Sequence, residues 1–111
     1  MAAQSAETFR VLLSMKIKEG QAAAFEQEWL SGTDAVTGHP ANLGQWLGRS
    51  STDPDTYFIV SDWVDEAGFK DFEDSGAHVE HRERLHAYRA GATFATMRVV
   101  HHIEGAATRV G

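Results

Sequence analysis

Residues 56–89 read TYFIVSDWVDEAGFKDFEDSGAHVEHRERLHAYR, and the change of hydrophobic period inside them decides the fold. From Tyr57 to Val64 the side chains alternate, with Tyr57, Ile59, Ser61 and Trp63 on one side and Phe58, Val60, Asp62 and Val64 on the other, which predicts a strand. Asp65 stands where a helix cap belongs, ahead of Ala67, Phe69 and Phe72 at helical spacing. Ser75-Gly76 interrupts, and a second helical piece dense in His and Arg is expected from about Ala77 to Tyr88. Both faces of the strand are mostly apolar, so both need a cover.

Upstream, Phe9, Val11, Leu13, Met15 and Ile17 recur at every second position, a strand that Glu19-Gly20 ends. Ala22, Phe25, Trp29 and Leu30 then follow helical spacing to a stop near Ser31-Gly32-Thr33, or on through Asp34 to Val36. Asn42 to Ser51 predicts a second strand, weakened by Gly44 and Gly48. Thr52-Asp53-Pro54-Asp55 turns the chain into the Tyr57 strand, because Pro presets the backbone and Asp caps turns. Downstream, Gly91 is expected to stop the helix and Ala92 to Ile103 to form the last strand.

The order strand, helix, strand, strand, helix, strand predicts an α+β, ferredoxin-like βαββαβ antiparallel sheet with its helices on one face. One domain over 1–111 is expected, with an ordered core over about 8–103 and loose termini at 1–7 and 104–111. The helices cover one side of the sheet only. Yet strands one, three and four are apolar on both sides, with Leu12 opposite Val11 and Leu13, Phe58 and Val60 opposite Ile59, and Phe94 and Val100 opposite Met97 and Val99, and an open apolar face of that size predicts a homodimer joined sheet to sheet.

Composition excludes several function classes. Ten basic against sixteen acidic side chains give no long-range attraction for nucleic acid or an anionic membrane. The absence of cysteine removes disulfides, thiolate nucleophiles and cysteine-ligated metals. No apolar run approaches a membrane span and no leader is visible, so a cytoplasmic protein is expected.

The run of Pro54-Asp55, Tyr57, an apolar strand, Asp62-Trp63, an acidic turn, Phe69 in a helix and Ser75-Gly76-Ala77-His78 resembles the antibiotic biosynthesis monooxygenase family of dimeric α+β barrels. The resemblance extends over about residues 9–103. It implies a dimeric α+β barrel and one of several chemistries, since the family holds cofactor-free oxygenases of aromatic polyketides, small-quinone oxygenases and haem-degrading enzymes. The haem-degrading branch uses a strand Asn, a helix Trp and a His ligand, at positions that here carry Leu13, Phe72 and Arg82. None is retained. The polyketide branch uses the Trp at the end of the third strand, which Trp63 matches. It also uses an Asn and a Tyr, whose positions carry Ile59 and Phe69, and an Arg that falls on Glu83, one residue from Arg82 and Arg84.

Candidate residues follow from both routes. Trp63 is either a core indole or the wall of a flat pocket. The segment His78 to His86 is either a solvated helix face or a catalytic one, in which His78 or His81 acts as base and Arg82 as donor to a developing oxyanion. Phe25, Trp29, Ile59, Phe69 and Phe72 are the expected substrate-binding wall. His78 and His81 are spaced as helix ligands are, but a third ligand is missing and no metal is expected. His101 and His102 fall on opposite faces of the last strand, His101 with Met97 and Val99.

The resemblance implies a cofactor-independent monooxygenase that oxidises an anthrone or phenol of aromatic polyketide type to a quinone, with O2 as co-substrate. A polyketide cyclase or aromatase on the same fold, and a non-catalytic partner of a biosynthetic enzyme, are the alternatives.

Overall fold

The computed structural model describes residues 7–107. The elements are β1 (Thr8–Ile17), α1 (Ala22–Ser31), α2 (Asp34–Thr37), β2 (Asn42–Arg49), β3 (Thr56–Trp63), α3 (Glu66–Glu73), α4 (Gly76–His86) and β4 (Arg89–Val99). The four strands make one antiparallel sheet in the order β2-β3-β1-β4. This is the ferredoxin-like α+β arrangement. Each long connection is a helical segment that returns the chain across the same face.

Local chemistry sets the helix starts. The Asp65 side chain accepts a hydrogen bond from the Gly68 N–H at 2.8 Å and caps α3, while Ser75 does the same for α4 through the His78 N–H at 3.2 Å. α1 ends at Gly32, and α2 is a separate short turn of helix, so the Ala22 periodicity does not run on unbroken to Val36.

The last strand departs from expectation at both ends. It begins at Arg89, because β1 extends to Ile17 and supplies a partner there, and Gly91 pairs with Lys16 instead of ending the helix. It stops at Val99, which pairs with Thr8, the first residue of β1; beyond that point no strand among the described residues remains to hydrogen-bond. His101 and His102 therefore lie in no strand, and both are exposed in the protomer. Of the termini expected to be loose, 1–6 and 108–111 lie outside the described residues. Glu7 pairs with Arg98 at 3.6 Å.

The pleat divides the sheet cleanly. Phe9, Val11, Met15, Ile17, Tyr57 and Trp63 are buried under the helices. They fall into two clusters. At one end, Phe9, Val11 and Trp63 pack with Val36, Phe69 and Phe72; at the other, Met15, Ile17 and Tyr57 pack with Phe25, Trp29 and Leu85. The helix face is thus sealed at both ends of β1 and not in its middle. The opposite face carries Leu12, Trp46, Phe58, Val60 and Met97. Near one end of this face, on the two central strands, Arg10 and Asp62, directly paired across β1 and β3, form a two-pronged ion pair of 2.7 and 2.8 Å.

Candidate active site

The unsealed middle of the helix face is a cavity of about 900 Å³ between the sheet and α4. Its sheet wall includes Val11, Leu13, Ile59, Ser61 and Gln45, its aromatic side Trp29, Phe69 and Phe72, and its far wall His78, His81 and Arg82. α4 arches over this space because it is fixed at two points. Near its start the His78 ring lies 4.5 Å from the Phe72 ring, and near its end Leu85 enters the second cluster. Arg84 ties it to α1 through Glu28 at 3.2 Å.

Seven of the nine expected site residues therefore surround one cavity: Trp29, Ile59, Phe69, Phe72, His78, His81 and Arg82. Phe25 and Trp63 do not line it. Phe25 is fully buried against Tyr57, with ring centroids 4.9 Å apart, on the side of α1 that faces the second cluster. Trp63 is 0% exposed, with Phe72 at 4.8 Å and Phe69 at 5.6 Å standing between it and open space. Its indole N–H donates to Ser61 Oγ at 2.9 Å. Burial of the last strand residue under the start of α3 makes it a core side chain whose reach toward the cavity is through Ser61.

The electrostatics favour neutral imidazoles. Burial first, then the Arg82 guanidinium and His81, holds His78 below the ordinary histidine range. His81 is 6% exposed, and burial followed by the Arg84 charge lowers it too, with Glu28 opposing. The Nδ1–Cε1 edge of His81 lies against Gly32, where a Cβ would overlap the ring. Among the described residues, His81 Nδ1 and Gln45 Nε2 are buried without a hydrogen-bond partner, and Arg82 makes no ion pair. A cavity whose wall sets a few polar side chains among apolar and aromatic ones is of the kind that receives a small organic ligand.

Gln45 and Ser61 are the residues that sequence reasoning passed over. Their signal was present, since each is a polar side chain on the inward alternation of a strand. His39, between α2 and β2, supports the site from behind. Its Nδ1 accepts the Ala41 N–H at 3.1 Å, its Nε2 donates to Asp71 at 2.8 Å, and its ring meets Trp63 and Phe72 edge-on. No group of three or more His, Asp or Glu side chains among the described residues is arranged to hold a metal ion. No helix among them is long and apolar enough to cross a membrane.

Residues 8–84 match the family model described as antibiotic biosynthesis monooxygenase. No curated protein sequence matches the chain. Among solved structures, SnoaB from Streptomyces nogalater, a cofactor-independent oxygenase, superposes with a TM-score of 0.80 at 15% identity, covering 90% of this chain and 100% of its own. A Bordetella bronchiseptica protein named for the same family gives 0.78 at 22% identity, over 85% and 98% of the two chains. A Shewanella oneidensis protein gives 0.76 at 17%, over 86% and 93%. At these identities the superpositions establish the shared fold.

Proposed function

The chain belongs to the antibiotic biosynthesis monooxygenase family, and from that premise we propose that it is a cofactor-independent monooxygenase, oxidising an anthrone or related electron-rich phenol of aromatic polyketide type to a quinone with O2. One observation carries the reading: two histidines held neutral by their surroundings line an apolar, aromatic cavity of about 900 Å³, large enough for a tricyclic substrate. A neutral imidazole is the form that accepts a proton.

The chemistry needs little more. The base, His78 or His81, takes one proton from the acidic methylene, leaving a carbanion whose charge spreads onto the ring oxygen. That electron-rich anion gives an electron to O2, the two radicals combine, and protonation from the imidazolium yields a hydroperoxide. Loss of the second C–H proton with cleavage of the O–O bond forms the new carbonyl and releases water. One oxygen atom enters the product and the other leaves as water, so substrate electrons reduce O2 completely. Arg82 lies on the same wall and offers a cation to the peroxide. Trp29, Phe69 and Phe72 supply flat surface for the rings. We also propose that the working unit is a homodimer joined through the opposite, apolar face of the sheet.

Purified protein incubated with anthrone under isotopically heavy O2 tests the reaction. The expected product is anthraquinone carrying one heavy oxygen atom, formed only when O2 is present. Equal rates with and without O2 would overturn the oxygenase reading; with a linear poly-β-ketone in place of anthrone, a product lighter by water and carrying no added oxygen would put a cyclase in its place.

A further inference from the structure

Gln45 and Ser61 are register partners on β2 and β3, and both line the cavity from the sheet side. Side chains directly opposite on one face stand about 5 Å apart at their Cβ atoms, within reach of a single acceptor atom between them. The Gln45 amide nitrogen is sealed from solvent and donates to nothing, so it meets a ligand once the amide turns over about its terminal bond and nitrogen and oxygen exchange places. The Ser61 oxygen already accepts the Trp63 indole N–H at 2.9 Å. With one lone pair so occupied, its own proton points elsewhere, and no described acceptor takes it.

We propose that Gln45 and Ser61 form a two-donor seat for a carbonyl oxygen of the aromatic ligand, and that Trp63 is the positioning residue that turns the Ser61 hydroxyl into the cavity. The inference deepens the oxygenase reading and rests on it for the identity of the ligand. In an anthrone the carbonyl lies across the central ring from the reactive methylene. A ligand seated by its oxygen on the sheet wall presents that methylene to the opposite wall, where His78 and His81 stand. Removing the methylene proton moves negative charge onto the seated oxygen, so both donors strengthen as the anion forms. The seat also gives the buried Trp63 a part in the chemistry without contact: its N–H fixes the rotor of a hydroxyl that makes the contact.

The test uses the full chain and the variants Ser61→Ala, Gln45→Leu and Trp63→Phe, with anthraquinone bound without O2 and observed by infrared difference spectroscopy. In the native chain one carbonyl stretch should fall below its frequency in an apolar solvent and split from the other. Ser61→Ala and Gln45→Leu should each return it part of the way, and Trp63→Phe should act like Ser61→Ala although it touches no ligand. Should Trp63→Phe fail to fold, the other two spectra decide. In anthrone turnover, loss of either donor should lower kcat by about 100-fold or more with KM changed far less. No binding of anthraquinone, an unshifted carbonyl, or a shift that survives both Ser61→Ala and Gln45→Leu would overturn the seat. A shifted carbonyl in a protein that consumes no O2 with anthrone would uphold the seat and overturn the oxygenase.

Discussion

An imidazole acts as a base only while it is unprotonated, and the surroundings of His78 and His81 keep both that way. An unfolded-chain histidine titrates near about 6.5, and both lie lower in the fold. The unfolded chain therefore binds protons first as pH falls. Stability is fully present above about 6.5 and declines below it until the folded histidines titrate as well. The urea midpoint should fall across that window in the native chain and fall less in His78→Ala/His81→Ala. The same double variant should lose about 100- to 10,000-fold in kcat, the usual contribution of a positioned base. Gly32 gives a separate handle on His81. Its φ of −108° is open to any residue, so Gly32→Ala adds only a methyl group against the ring. The expected result is a modest loss of stability, about 1 to 3 kcal/mol, with kcat falling toward that of His81→Ala. An unchanged kcat would show that the position of that ring does not matter to turnover.

Individual residues also show how far the sequence could be read. The apolar wall was legible from alternation and helical spacing alone, because Ile59, Phe69 and Phe72 had to face inward wherever the elements packed. Trp63 was legible as important and not in its role. Periodicity gives the face of a strand, and whether Phe69 and Phe72 stand between that face and open space depends on where α3 starts. Gln45 and Ser61 were hidden for the opposite reason. A polar side chain on an inward face looks like a weakness in a strand until the cavity above it is seen.

At the scale of elements, α4 decides the shape of the site. It spans the cavity as an arch, held by the Ser75 cap, by Arg84 between Glu28 and Glu80, and by Leu85 in the core. These anchors are unequal. The exposed ion pairs contribute about 0 to 1 kcal/mol, and the Ser75 cap about 1 kcal/mol. The buried Leu85 dominates, since Leu→Ala in a core costs about 2 to 5 kcal/mol. Leu85→Ala should therefore lower the melting temperature more than Ser75→Ala or Arg84→Ala, and raise KM by releasing one end of the arch. Calorimetry beside steady-state kinetics checks the ranking, which fails if Arg84→Ala proves the most damaging. The start of this arch was legible, because Ser75-Gly76 carries a cap signal. The boundary between α4 and β4 was not. Only the length of β1, a neighbour some 70 residues away in sequence, determines that Arg89 to Gly91 pair as strand.

For the whole molecule, the decisive feature is the sheet face that no helix covers. Trp46 is 53% exposed there, Met97 42% and Phe58 38%, beside the half-buried Leu12 and Val60. Water contact over such a patch is unfavourable by about 25 cal/mol per Å² of apolar area. A stable interface needs roughly 1,000 Å² in total, which two copies of a four-stranded face are broad enough to supply. Arg10 and Asp62 sharpen the expectation. Their charges cancel each other near one end of the patch, so a second copy would meet no net charge from them there. In the proposed dimer that pair becomes wholly desolvated. Asp62 is 7% exposed in the protomer itself, so Arg10→Met strands a buried carboxylate, a loss of about 3 to 5 kcal/mol for a fully buried pair. Sedimentation equilibrium should show a dimer for the native chain, and a monomer for Trp46→Glu/Met97→Glu, which places four like charges at the seam. If the native chain sediments as a monomer, the open face is not a self-association surface. If the charged variant alone is monomeric and its anthrone turnover falls with its melting temperature, the sheet pairing holds the cavity in shape from behind.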